Sequence, residues 1–153
     1  VTLPEAPGKL SELKPTTPGL PAAPSITITL QIDNPKMYVN GVEKEIDPGY
    51  GTKPIILNGK TVLPIRAIIE SLGGKLGWDQ AEQRIALDVN DTTIIMWIDR
   101  QEYYVNGVRQ TLDVAPVVVN TRTLLPLRAL LESLGYVVEW NVEHNAIIIV
   151  STN

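Results

Sequence analysis

The 153-residue chain has no cysteine, no phenylalanine and one histidine, His144. Without cysteine, disulfide staples, thiolate metal sites and cysteine nucleophiles are excluded, although the compartment is left open. An excess of basic residues is also missing: the formal net charge is -4, with acids and bases interspersed, so there is no nucleic-acid footprint. No apolar run approaches the roughly 18 residues needed to span a bilayer. No signal peptide is present either, so a secreted form has lost its signal or carries it upstream of this fragment. GxSxG, HExxH, phosphate-loop and dinucleotide fingerprints are all absent. What the chain does have is an ordinary 44% hydrophobic content, mixed charge, five Tyr and three Trp. That is enough to bury a core.

Residues 1–24, "VTLPEAPGKLSELKPTTPGLPAAP", hold half of the 12 prolines and show no sustained apolar period. Such a segment favours extended states and buries too little surface to offset its ordering entropy, so it is expected to be a linker. The competing reading is an arm docked through Leu3, Leu10, Leu13 and Leu20. A linker implies a module within a longer protein. From Ser25 the pattern alternates: "SITITLQI" predicts a strand with Ile26, Ile28, Leu30 and Ile32 on one face. In "MYVNGVEKEI", Asn40-Gly41 supplies the two residues of a type I′ hairpin turn. After a Pro/Gly loop and "PIILNGKTVL", Pro64 is placed to open a helix. Ile65, Ile68, Ile69 and Leu72 form its apolar stripe and Gly73 ends it. "KLGWD" and "RIALDV" then read as two strands.

Every element recurs. "YVNGV" at Tyr38 returns at Tyr104, and Pro64, Arg66, Glu70, Gly73 and Trp78 return as Pro126, Arg128, Glu132, Gly135 and Trp140. The spacing shortens once, where "DPGYGTKP" becomes "DVAP". The expected organisation is therefore a Pro-rich linker over 1–24 and two tandem units, 25–90 and 91–153. The fold class is α+β, each unit an antiparallel sheet packed on one short helix. "LDVNDTTI" leaves almost no linker between the units, so they are expected to pack closely.

The runs "NGKTVLPIRAIIESLGGKLGWD" and "VNTRTLLPLRALLESLGYVVEWN" resemble the copper amine oxidase N-terminal-like, or stalk, domain. The likeness covers nearly everything after Ser25. It is fairly specific because turn, Pro-initiated helix, Gly cap and Trp occur in fixed order. It implies an antiparallel sheet against a single helix, used as an appended non-catalytic module, often in tandem, in secreted and surface proteins of Gram-positive bacteria. It implies neither copper nor amine oxidation, which belong to a separate domain with several histidine ligands and a modified tyrosine. Two departures are the first unit's longer loop and Thr121 where the first unit has Gly59.

Candidate sites divide into signature residues and differences between the copies. Arg66/Glu70 and Arg128/Glu132 stand at i, i+4, where opposite charges pair for about 0.2–0.5 kcal/mol. No second acid, base or metal ligand recurs beside them, so a structural role is expected. Trp78 and Trp140 share strand parity with Leu76 and Val138, which places them in the core rather than on sugar-stacking surfaces. His144 is expected to be a turn residue. Asp79, Asp88 and Asp91 are too scattered for a calcium cage, and the sequon at Asn90 is uninformative. The second copy gains apolar and aromatic groups at Ile95, Trp97, Tyr103 and Tyr136. Those four either pack against the first unit or form a partner or glycan patch around Trp97 and Tyr103.

The sequence thus points to a non-enzymatic accessory module, a stalk or adhesion unit of a larger secreted or surface bacterial protein. No cofactor or metal is expected. The expected partners are other domains of the same polypeptide and, in the alternative reading, polysaccharide, cell wall or a surface protein. The alternative is a carbohydrate- or cell-wall-binding module using exposed aromatics. An extracellular or cell-surface location accompanies both readings.

Overall fold

The structure, a computed structural model, describes residues 26–151. The expected linker over 1–24 and its leucines lie outside the described residues. The first half runs β1 (Thr27–Gln31), β2 (Lys36–Val39), β3 (Val42–Glu45), β4 (Ile55–Leu57), β5 (Lys60–Leu63), α1 (Arg66–Ser71), β6 (Lys75–Asp79) and β7 (Arg84–Val89). The second repeats that order: β8 (Thr92–Trp97), β9 (Glu102–Val105), β10 (Val108–Thr111), β11 (Val117–Val119), β12 (Arg122–Pro126), α2 (Leu127–Ser133), β13 (Val137–Asn141) and β14 (Ala146–Val150). Among the described residues, antiparallel sheet dominates, with two short helices, and neither helix is long and apolar enough to cross a membrane.

Local chemistry accounts for most boundaries. All three Asn-Gly turns, Asn40-Gly41, Asn58-Gly59 and Asn106-Gly107, have positive φ at each position, as a type I′ hairpin requires. The helices end alike. Gly73 donates to the Glu70 carbonyl at 3.0 Å and Gly74 to that of Ile69 at 2.9 Å. Gly135 and Tyr136 donate to Glu132 and Leu131 at the same distances, so both ends are Schellman motifs. The expected opening of a helix at Pro64 shifts slightly: α1 begins at Arg66 behind Ile65, whereas Pro126 directly precedes α2.

Sheet partnership departs from the expectation that each half keeps its own sheet. One five-stranded sheet has the order β13-β14-β1-β2-β3 and the other β10-β9-β8-β7-β6, so each combines strands of both halves. The cause is the connection between them. β7 and β8 are joined only by Asn90 and Asp91, with φ of 46° and 66°, and a two-residue turn of that kind makes its flanking strands a hairpin. Once β6 and β7 are held beside β8, strands β1–β3 have only β13–β14 to extend their sheet.

A third sheet, β11-β12-β5-β4, joins the two, with Leu125 opposite Leu63 across β12 and β5. These leucines occupy matching places in the two halves, whose strands follow the same order, so a local twofold axis passes between them. One core runs through the molecule, taking Ile68 and Ile69 from α1, Leu130 and Leu131 from α2, and Ile28, Leu87, Ile94 and Ile149 from the large sheets. The two ends of the described chain meet: the Ile26 N–H donates to Ser151 Oγ, and the Ser151 N–H donates to the Ile26 carbonyl, each at 3.2 Å.

Candidate functional site: two tryptophan grooves

Trp78 and Trp140 are not core residues. They are 43% and 40% exposed. Parity does put them on the same side of their strands as Leu76 and Val138, but the helices are too short to cover that side. Six residues of helix extend about 9 Å, whereas the five residues of β6 extend about 17 Å. Each indole therefore lies beyond the start of its helix and walls a shallow groove.

The first groove has Leu76, Trp78 and Ile85 on one side and Ile65 and Arg66 at the start of α1. Its far wall is the end of the β11–β12 turn and the start of β12, Thr121 to Thr123, from the other half of the chain. The second groove repeats this with Val138, Trp140 and Ile147, with Leu127 and Arg128, and with the end of the β4–β5 turn and the start of β5, Gly59 to Thr61. Their volumes are about 250 and 270 Å³. In both, the tryptophan and the opposing turn come from different halves of the chain.

Carboxylates accompany the cations at each groove. Arg66 lies 3.9 Å from Glu70, and Arg128 lies 3.0 Å from Glu132 while donating to the Val138 carbonyl at 2.9 Å. Arg122 holds Asp47 through two hydrogen bonds, of 2.7 and 2.5 Å, and stacks over the Tyr50 ring at 4.0 Å. Thr52 also donates to Asp47, which is 5% exposed. The hydrogen bond from Arg122 to Asp47 raises the guanidinium pKa further above its usual value. At the matching place Lys60 meets Asp113 at 3.2 Å in the open. Of the two matched pairs, the one in the half with the longer loop is the more buried. Thr121, in the turn facing Trp78, holds φ at 66°, where Gly59 stands in the first copy.

Residues 49–149, well over half of the chain, match the family described as the copper amine oxidase N-terminal domain. The chain belongs to that family. Both grooves fall inside the matched range. No significant match occurs among curated proteins or among solved structures. The copper amine oxidase N-terminal domain is by itself a non-catalytic module. Its name refers to copper, yet among the described residues no three His, Cys, Asp or Glu side chains converge. His144 sits in the β13–β14 turn, where its N–H donates to Asn141 Oδ1 at 3.0 Å. These residues do not fit a copper site.

The differences between the copies in this member of the copper amine oxidase N-terminal domain family do not assemble into one patch. Ile95 and Trp97 are half-buried on the outer face of β8. Tyr103 is 6% exposed on the inner face, its hydroxyl 3.1 Å from Ser133 Oγ. The register decides this, because Met96 faces Tyr103 and Ile95 faces Tyr104. Tyr136 is also buried, and Asn90 Nδ2 donates to its hydroxyl at 3.1 Å. Burial raises the Tyr136 pKa, and the hydrogen bond from Asn90 offsets part of that. The neighbour of Trp97 is Tyr104, edge to face at 5.8 Å, with Arg100 over the indole at 5.6 Å. Tyr104 escaped a comparison of differences because Tyr38 matches it. Strict alternation along "EYYV" was the signal that separates it from Tyr103.

Proposed function

We propose that this chain is a non-catalytic attachment module of a larger secreted or cell-surface protein of a Gram-positive bacterium, arisen by tandem duplication of one stalk-like unit. The observation that carries the choice of attachment over spacing is the meeting of the ends. Ile26 and Ser151 exchange two hydrogen bonds of 3.2 Å, so the chain enters and leaves the domain at one point. A spacer in series separates its flanking parts by its own length. A module with adjacent ends hangs beside them and adds almost none, which suits a unit that holds on to something. Its partners, on this reading, are the flanking parts of the same polypeptide on one side and a component of the bacterial surface on the other.

Two measurements test this. Dyes on cysteines introduced at Ile26 and Ser151, in a chain with no native cysteine to interfere, are expected to transfer energy nearly completely; weak transfer contradicts adjacent ends. The full chain fused to a fluorescent reporter is expected to sediment with intact Gram-positive cells. A fusion that stays in the supernatant removes the attachment role.

A further inference from the structure

We infer that the two grooves are paired subsites for one neutral polysaccharide chain, with Trp78 and Trp140 as stacking platforms. The inference rests on the attachment reading and names the chemistry of its partner. A pyranose ring has a C–H face and a hydroxyl rim. An indole that is two-fifths exposed, beside Leu76 and Ile85 or Val138 and Ile147, offers the C–H face an apolar plane. The opposing walls carry Thr121 and Thr123 at one groove and Thr61 at the other, hydroxyls that both donate and accept.

Charge decides against a polyanion. Four cations border the grooves, and each stands within 3.9 Å of its own carboxylate: Arg66 with Glu70, Arg122 with Asp47, Arg128 with Glu132 and Lys60 with Asp113. A phosphate-rich polymer gains its affinity from unpaired cations and the counterions they displace, and here it would have to compete with those carboxylates. A neutral hydroxyl-rich ligand meets no such competition and can take N–H donors the carboxylates leave over.

Size and number point the same way. At about 250 and 270 Å³ the grooves fall below the roughly 300–1,000 Å³ that encloses a free small molecule. Each has room for about one ring of a chain that continues past it. The local twofold presents the same chemistry twice on a rigid frame. On this proposal one polymer of repeating rings reaches both, and its second contact forms at high effective concentration.

The test is sedimentation of the full chain with insoluble cellulose, with chitin and with cell-wall sacculi stripped of protein and teichoic acid, alongside intact cells. Retention is expected on at least one of the three matrices, of which cellulose and chitin are neutral throughout and the sacculi have a neutral sugar backbone cross-linked by charged peptides. Trp78→Ala and Trp140→Ala should each weaken it about tenfold or more, as loss of one of two linked sites does, and the double variant should abolish it. Trp78→Phe and Trp140→Phe keep a stacking ring and should recover most of the binding. Near-UV circular dichroism shows whether each variant is folded. The proposal is overturned if none of the three matrices retains the wild type, or if the folded double variant binds undiminished. Binding to intact cells that survives in the double variant leaves the attachment role standing and removes the grooves from it.

Discussion

At the scale of single residues, the Asp47–Arg122 clamp is the most consequential polar contact, and its matched partner provides an internal control. Replacing Arg122 by Met leaves the Asp47 carboxylate almost fully buried with only Thr52 donating to it. Removing one partner of a fully buried pair costs about 3–5 kcal/mol. Arg122 is 32% exposed, so solvent screens part of the interaction and about 2–3 kcal/mol is expected. Lys60→Met breaks the matched pair, whose side chains are 48% and 77% exposed, and should lower stability by less than about 1 kcal/mol. Urea denaturation of the two variants checks the contrast; equal losses would mean that the buried clamp contributes nothing special. Tyr136 gives a pH signature. Burial raises its folded pKa above the usual 10.0, so above that pH the unfolded chain releases the phenolic proton more readily than the folded one. The stability it contributes is complete below pH 10 and is lost as the pH rises through the folded value. Tyr136→Phe should therefore flatten the fall of Tm with pH above 10 in thermal melts followed by circular dichroism. Tyr104, raised chiefly by its hydrogen bond to Glu102, has the same sign and leaves part of the slope in place.

At the scale of elements, the hairpins, the helix ends and the apolar stripes were legible because each is written in a few adjacent residues. Asn-Gly names its turn, and Gly73 and Gly135 name the end of their helices. The partners of β1 were not legible. Two halves of similar sequence offer two similar strands, β7 and β14, with which β1 can pair, and local pattern does not choose between them. The choice lies in the length of the Asn90-Asp91 connection, which the sequence does display and which close packing of two units did not exhaust. The tryptophans were misplaced for a different reason: parity gives the face of a strand but not how far a neighbouring helix reaches along it. The contrast between Gly74 and Tyr136 also belongs to packing rather than to a ligand patch. A Cβ on Gly74 would lie 2.4 Å from Val89 Cγ2 and 2.6 Å from the Asp88 carbonyl oxygen. One of those atoms is backbone, so relief requires the α1–β6 junction to move away from β7. Gly74→Ala is expected to destabilise the fold by about 1–3 kcal/mol, as overpacking does, read from the urea midpoint. An unchanged midpoint would show that the two segments are not in close contact.

At the scale of the whole molecule, the exchange of strands makes the domain a near-closed cycle. The β7–β8 hairpin, with Val89 opposite Thr92 and Asn90-Asp91 between them, corresponds across the local twofold to the meeting of Ser151 and Ile26. Only the covalent link differs: one junction is closed and the other open. The fold should therefore tolerate moving the opening from one to the other. A circular permutant that starts at Asp91, joins Ser151 to Ile26 through Asn-Gly and ends at Asn90 keeps every strand pair and both grooves. Asn-Gly suits the new connection because both residues of a type I′ turn need positive φ. Compared with the linear chain of residues 26–151, the permutant is expected to show the same circular dichroism spectrum and a Tm within a few degrees, since permutation succeeds where the ends are close and exposed. Its ends would emerge at the opposite junction, so a reporter fused there would approach the grooves from the other side of the axis. If the permutant is folded, the covalent order of the two copies is immaterial to the structure and the twofold arrangement of grooves is the property the fold preserves. If it fails to fold while the linear 26–151 chain is stable, the β7–β8 turn does more than close a hairpin, and the equivalence of the two junctions is wrong.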